Sequence, residues 1–457
     1  MKNMTPRNIA AACGGKPVNC GSILDTEVSA VTTDSRTVTP GCLYIPIKGE
    51  TFDGHDFIGK AREAGALLVL TEKQDAAEDG PSVRVTDTRI AIQRIAEFYR
   101  KEMNIPVVGI TGSVGKTSTK EMIASVLAEK YRTLKTLGNF NNNLGLPLTI
   151  FRLTPEDEIA VLEMGISHFG EMTDLARTAR PDTMVITNIG TCHLEFLGDR
   201  DGVFEAKTEC FEYVRYDGTV VLNGEDDKLS RVDQVHGRAP IMYGLDPGKR
   251  VYADNIRPLG FKGTACTINM DDRSFDVTIP VPGTHMVLNA LAAATVGALY
   301  GLTDEEIRAG IEKVGSLDGR FHVIETGKIT VIDDCYNANP MSMKASCSIL
   351  DTVDTGSVAI LGDMGELGGD EEALHREVGV FVGGCRIGRF VTVGPLSRNI
   401  DAGILETRAD VDVRHFDSVD ELLPELPSLI AEGDAVLVKA SHFMKFSRIV
   451  EELKNNF

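Results

Sequence analysis

Gly109-Ile110-Thr111-Gly112-Ser113-Val114-Gly115-Lys116-Thr117 is the stretch on which the fold turns. The apolar run Ile105-Pro106-Val107-Val108-Gly109-Ile110 enters it as a buried strand would, and Met122, Ile123, Val126 and Leu127 follow at the spacing of one helix face. A strand, a glycine turn and a helix opening on Lys-Thr make a phosphate cradle. Backbone N–H groups at such a helix start point at an anion. Gly112, Ser113, Val114, Gly115 and Ser118 complete the loop around Lys116, which can reach the outer phosphates, and Thr117, whose hydroxyl can bind Mg²⁺. Ile110 stands where the general phosphate-loop pattern has its first glycine, so the loop is a shortened variant. The alternative, a glycine-rich turn without a ligand, does not explain the Gly-Lys-Thr triplet in this context.

The chain has 457 residues, which predicts more than one domain. Apolar residues make up 42%, enough for ordinary cores. No apolar run is long enough to span a bilayer, and residues 1–7 lack a signal-peptide core, so no membrane insertion is expected. The nine cysteines are scattered with no Cys-x-x-Cys pair, which disfavours structural zinc and a disulfide framework and fits a cytoplasmic setting. A formal charge of −20 with no basic stripe argues against nucleic-acid binding.

Outward from the loop, the chain reads as α/β in three domains: 1–86, 87–317 and 318–457. The first holds short strand-like runs (28–31, 43–47, 67–70) and a helix near 57–64. Asp87 reads as the N-cap of the helix leading into the loop strand. The second carries buried strands at 159–162, 184–186 and 220–222 with helices between, hence a parallel sheet covered on both faces. Its alternating runs from Val251 to Ile279 predict a small antiparallel appendage. The third predicts a Rossmann-like unit with strands at 329–332, 358–361, 390–393 and 435–438, after a hinge-like joint, Ser316-Leu317-Asp318-Gly319-Arg320.

Several residues follow predicted strand ends, where open α/β sheets bind ligands. Glu163 suits Mg²⁺ there, and equally suits a solvated turn. His193 lies past a third strand end, as a site residue or a packing one. Lys207 reads by itself as a helix-surface lysine. Asn141 and Asn142 sit in a run of amides that fits a polar substrate or an asparagine-rich turn. Asn289 opens an alanine-rich helix. Asp333-Asp334-Cys335-Tyr336-Asn337-Ala338-Asn339-Pro340 sets acids and amides after a strand, as a site or as capping chemistry, and Arg320 lies at the hinge.

Together these segments resemble the Mur ligases, ATP-dependent amide-forming enzymes of peptidoglycan precursor synthesis. Asp34-Ser35-Arg36, Pro46-Ile47-Lys48-Gly49 and Asp53-Gly54-His55-Asp56-Phe57 are similar to their uridine-nucleotide domain, which implies a UDP-sugar substrate near Ser35, Arg36, Lys48 and Gly49. Asn141-Asn142-Asn143, Asn289, Tyr336 to Pro340 and Leu361-Gly362-Asp363-Met364-Gly365-Glu366-Leu367-Gly368 resemble the member that adds D-Ala-D-Ala to UDP-MurNAc-tripeptide, and the Asp-Asn-Pro-Arg motif of a sibling is absent. The resemblance implies ATP and two Mg²⁺ ions, a monomer, Lys116 and Thr117 on the phosphates, and Thr117, Glu163 and His193 with a carboxylated Lys207 on metal. It implies Asn289, Arg320 and Asp334 on ATP, and Asn141, Asn142, Asn337 and Asn339 near substrate. The chain departs from the family at Lys439-Ala440-Ser441-His442, where Lys-Gly-Ser-Arg is usual, and His442 replaces a fixed cationic fork by a titratable ring. Competing readings are a Mur ligase adding a single amino acid, a folylpolyglutamate-type ligase and a phosphate-loop regulatory ATPase.

Overall fold

The computed structural model describes residues 1–315 and 318–457. Ser316 and Leu317 of the predicted hinge lie outside the described residues. Three sheets organise the rest.

The central sheet is built outward from the loop strand Val107–Thr111, which pairs in parallel with Ile159–Glu163 on one side and Thr183–Ile186 on the other. It has nine strands, and from Thr133–Lys135 at one edge to Val251–Pro258 all neighbours are parallel. Thr264–Met270 and Arg273–Ile279 then add antiparallel. The predicted antiparallel appendage is thus hydrogen-bonded onto the edge of the central sheet and continuous with it. Its alternation is visible in burial: Cys266, Ile268 and Met270 point inward and their neighbours outward.

The loop helix Lys116–Leu127 packs on one face of this sheet. Met122, Ile123, Val126 and Leu127 are all fully buried. The helix Thr284–Leu299, apolar on nearly every side, covers it. A Cβ on Gly310 would lie 2.4 Å from the Cα of Val126, so glycine there lets the next helix, Asp304–Glu312, come this close. On the other face lies Thr88–Met103, capped by Asp87, whose Oδ1 accepts from the backbone N–H of Arg89 (2.7 Å) and Ile90 (3.1 Å). Ile92, Ile95, Ala96 and Tyr99 of this helix join one continuous core with the N-terminal residues Met4, Ile9, Leu68 and Val83. Arg100 donates to Ala179 O and Asp182 and ties the same helix to the central sheet.

The N-terminal sheet has five strands, parallel except for Lys16–Val18 at one edge. Its strands Val31–Thr32 and Leu43–Tyr44 are shorter than the apolar runs suggest; after Ile45 N–H donates to Thr32 O (2.9 Å), Pro46 has no N–H to continue the ladder. The C-terminal sheet has six strands in the order His322–Glu325, Thr330–Asp333, Ala435–Lys439, Ser357–Gly362, Arg389–Val393, Asp412–Phe416. All are parallel except the first. The outer strands, His322–Glu325 and Asp412–Phe416, are only half-buried and carry little apolar signal, which is why the sequence does not announce them.

Candidate active site

Gly112 and Gly115 shape the turn between strand and helix. Gly112 has φ +148°, and a Cβ there would stand 1.9 Å from Thr187 Oγ1. Gly115 has φ +82°, a left-handed position that suits glycine. The turn is fastened from the neighbouring strand end. Asn188 accepts from Val114 N–H at its side-chain oxygen (2.9 Å), donates its amide to Val114 O (2.9 Å), and accepts from Ser113 N–H at its carbonyl (3.0 Å). Ser113 Oγ accepts from Gly190 N–H (2.8 Å). Lys116 folds back over the turn, its Nζ donating to Gly112 O (2.8 Å) and Ser113 O (3.3 Å).

Glu163 is carried to the same point by the adjacent strand and is almost fully buried. Its Oε1 accepts from Thr117 Oγ1 (3.2 Å) and from the Asn141 amide (2.8 Å). Its Oε2 has no hydrogen-bond partner, and the nearest cation is Lys120 Nζ at 3.8 Å. Lys120 is itself buried, donating to Thr136 O (2.8 Å) and paired with Glu121 (2.9 Å). Burial works to raise the Glu121 carboxyl, but Lys135 and Lys120 outweigh it and hold the group below its ordinary range.

His193 lies beyond the strand Thr183–Ile186 with φ +54°, and its Nδ1 stands 2.5 Å from Glu366 Oε2 of the C-terminal unit. The two atoms are in close polar contact without a directed hydrogen bond. Lys207, on the helix Arg200–Thr208, is fully buried and its Nζ has no hydrogen-bond partner. Burial lowers its ammonium from 10.5 to about 8, with Lys116 adding repulsion.

The C-terminal sheet supplies the opposite wall. Asp334 is buried at the end of Thr330–Asp333. Its Oδ2 accepts from Lys439 Nζ (2.6 Å) and Ser346 Oγ (2.5 Å), and its Oδ1 from Phe321 N–H (3.1 Å). The Arg320 guanidinium lies 4.2 Å from the centre of the Tyr336 ring, a cation–π contact, and the His442 ring tilts against Tyr336 at 5.8 Å.

These walls enclose a cleft of about 510 Å³. Of the residues singled out in the sequence, Ser113 to Ser118, Asn141, Asn142, Glu163, His193, Asn289, Arg320, Asp334, Asn337 and Asn339 all line it. Some of them also do local work. Asn142 Oδ1 accepts from Leu144 and Gly145 N–H, Asn339 forms a capping box with Ser342, and Asn289 Oδ1 accepts from Thr119 Oγ1 (2.9 Å). Lys207 is not in the lining. Ser35, Arg36, Lys48 and Gly49 lie in the N-terminal unit, outside this cleft. There Asp34 caps the turn at Ser35 and grips Arg36, whose guanidinium holds the Asp34 carboxyl down at about 2. Asn188, Lys120 and Glu366 are contacts that reading along the chain did not assign. Asn188 and Glu366 meet partners far away in sequence, Val114 and His193, and Lys120 is buried by packing, none of which short sequence separation reveals.

Among the described residues, no group of three or more His, Cys, Asp or Glu side chains is placed to hold a metal alone. Thr117 Oγ1 and Glu163 are hard oxygen donors of the kind Mg²⁺ takes, with phosphate and water to complete its shell. Glu163 Oε2 is a buried carboxylate oxygen at the cleft with no hydrogen-bond partner, and so is open to such a group.

A phosphate turn at the mouth of a parallel sheet, faced by acidic and basic groups from a second α/β unit, defines a two-walled nucleotide-binding α/β protein. Family models match along the chain: "Mur ligase family, catalytic domain" over 27–110, "Mur ligase middle domain" over 110–297, and "Mur ligase, glutamate ligase domain" over 319–442. The UDP-N-acetylmuramoyl-tripeptide–D-alanyl-D-alanine ligase of Bacillus subtilis is 37% identical over 458 residues, covering 99% of each protein. A crystal structure of MurF from Acinetobacter baumannii superposes with a TM-score of 0.92 at 30% identity, covering 99% of both chains. MurF from Thermotoga maritima in complex with ADP gives 0.83 at 28% identity over 93% of this chain and 97% of that one. The chain belongs to the Mur ligase family.

Proposed function

We propose that this chain is the ATP-dependent ligase that joins D-Ala-D-Ala to UDP-MurNAc-tripeptide, the last cytoplasmic amino-acid addition in making the peptidoglycan precursor. One observation carries the reading: the Thr117–Glu163–Asn141 cluster under the phosphate turn shares one cleft with Arg320 and Asp334 from the C-terminal unit. Whole-length similarity to relatives of that name supports the same conclusion.

In this reading, residues 1–86 hold the uridine nucleotide through Ser35, Arg36, Lys48 and Gly49. Residues 87–317 hold ATP on the phosphate turn, and residues 318–457 close over it with Arg320 and Asp334. The terminal carboxylate of the tripeptide attacks the γ-phosphorus of ATP. An O–P bond forms, the bond to ADP breaks, and an acyl phosphate results. The amine of D-Ala-D-Ala attacks that acyl carbon, a C–N bond forms, phosphate leaves and the amine loses a proton. Lys116 neutralises developing charge, and the turn held by Asn188 fixes the phosphates in line. The second wall excludes water, which would otherwise hydrolyse the acyl phosphate. Asn141, Asn142, Asn337 and Asn339 offer amides to the peptide.

Thr117 and Glu163 would hold one Mg²⁺, and His193 with a carboxylated Lys207 a second; bound there, the ions neutralise phosphate charge. Lys207 suits that modification because a buried amine with a pKa of about 8 is readily neutral, the form that adds CO₂. We take the enzyme to be a cytoplasmic monomer. Among the described residues no helix is long and apolar enough to cross a membrane.

Purified protein given UDP-MurNAc-tripeptide, D-Ala-D-Ala and Mg²⁺-ATP should release phosphate only when both co-substrates are present. Release with a single amino acid in place of the dipeptide would reassign it to a sibling ligase. Slow ATP hydrolysis indifferent to both would make it a regulatory ATPase.

A further inference from the structure

His193 and Glu366 meet across the two walls of the cleft, at 2.5 Å between Nδ1 and Oε2. Each is a non-glycine residue in the left-handed region, with φ +54° and +60°. That conformation is uncommon for non-glycine residues, and such residues cluster at functional sites. Here two of them face each other from different sheets.

The loop that carries Glu366 is anchored firmly to its own sheet. Gly365 N–H donates to Ser441 Oγ (2.9 Å), Met364 N–H to His375 Nε2 (2.9 Å), and Asp363 Oδ1 accepts from Ser397 N–H (2.8 Å). The two walls are in close contact around the pair. A Cβ on Gly368 would lie 3.2 Å from Glu195 N, and a Cβ on Gly190 would lie 3.0 Å from Met341 Cε. Glu366 is thus a carboxylate on a fixed support, delivered to His193 by the seating of one unit on the other.

An imidazole has two ring nitrogens, and the partner of one decides what the other offers. With Glu366 beside Nδ1, Nε2 is the ring nitrogen left to face a cation. A carboxylate behind a metal-bound histidine fixes its tautomer and raises its basicity.

We propose that Glu366 is a positioning residue which the C-terminal unit lends to the central site, orienting His193 toward Mg²⁺ only when the two units are seated together. This rests on His193 being a metal ligand, as in the proposed function. It adds that metal affinity at that position is a readout of domain seating.

Mn²⁺ is the probe, counted by electron paramagnetic resonance on full-length protein saturated with a non-hydrolysable ATP analogue. Wild type should bind two ions, and His193→Ala should lose the weaker one. Glu366→Gln should keep the tighter ion and weaken the other about tenfold or more, with Glu366→Asp recovering part of the loss. In turnover, Glu366→Gln should raise the Mg²⁺ concentration for half-maximal rate while leaving nucleotide affinity unchanged. Glu366 is half-exposed, so the variants should fold, and unfolding temperature checks this. If His193→Ala binds Mn²⁺ as wild type does, the metal assignment of His193 fails. If His193→Ala loses the ion but Glu366→Gln does not, the metal assignment stands and the role given to Glu366 is wrong. A Glu366→Gln effect confined to the KM for D-Ala-D-Ala also overturns it.

Discussion

Lys207 is the residue whose environment departs furthest from what its neighbours in sequence suggest. Phe204-Glu205-Ala206-Lys207-Thr208-Glu209 reads as a solvated helix with pairing charges, yet the side chain is fully buried and its Nζ unpartnered. A buried ammonium without a partner is costly, and the cost appears as a lowered pKa. The sign of the linkage follows. Between about 8 and 10.5 the unfolded chain binds more protons at this lysine than the folded one, so its contribution to stability rises with pH across that window. CO₂-depleted wild type should therefore be less stable than Lys207→Met below pH 8, by on the order of 3 kcal/mol, and the gap should close as pH approaches 10.5. Denaturant titrations at a series of pH values read this directly. Bicarbonate should stabilise wild type and leave Lys207→Met unmoved. Lys207→Ala should lose on the order of 100-fold or more in ligation rate, with partial recovery on adding a short carboxylate. Full activity would remove Lys207 from the site.

At the scale of elements, the strand–turn–helix around Gly112 is the best specified part of the chain, and the sequence carries nearly all of it. Hydrophobic periodicity finds the strand and helix, and the glycines mark the turn. What periodicity cannot find is the brace. Thr187 Oγ1 donates to Val114 O (2.6 Å) and occupies the space a Cβ on Gly112 would need. Gly112→Ala should therefore shift the turn against Thr187. A displacement near 1 Å at a reacting phosphate costs about 100-fold in kcat, while the helix Lys116–Leu127, held by its buried face, should keep the fold intact. Steady-state rates beside a circular-dichroism melt separate the two effects. The same contrast holds elsewhere. The capped helix Thr88–Met103 is legible from Asp87 onward, whereas the half-buried edge strands His322–Glu325 and Asp412–Phe416 are not, because an edge strand needs little apolar patterning to be held by its neighbour.

At the scale of the whole molecule, the cleft exists only because two sheets face one another. Arg320 and Asp334 are far from Lys116 in sequence and line the same space. Asp334 is locked by Lys439, Ser346 and Phe321, so the wall is rigid, while Arg320 is held by the Tyr336 ring and is the group free to turn toward a phosphate. Arg320→Ala should lower kcat/KM for ATP by about tenfold or more, the worth of a charge-assisted hydrogen bond. The thermal shift caused by a UDP-sugar that lacks the peptide should be unchanged, since the uridine nucleotide is assigned to Ser35, Arg36, Lys48 and Gly49, outside the cleft. An equal loss of both would tie Arg320 to general stability. His442, where the family usually has arginine, sets its ring against Tyr336, tilted by 44° with centroids 5.8 Å apart. By itself the sequence determined the class of chemistry, because a phosphate turn, buried strands and their trailing helices are local patterns of a few residues each. Tertiary structure alone decided which asparagines cap helices as well as line the cleft, how the antiparallel strands join the central sheet, and that Lys207 is buried while Glu366 reaches His193. Those outcomes depend on contacts between residues far apart along the chain, and burial and pairing at such distances are set by how the sheets pack.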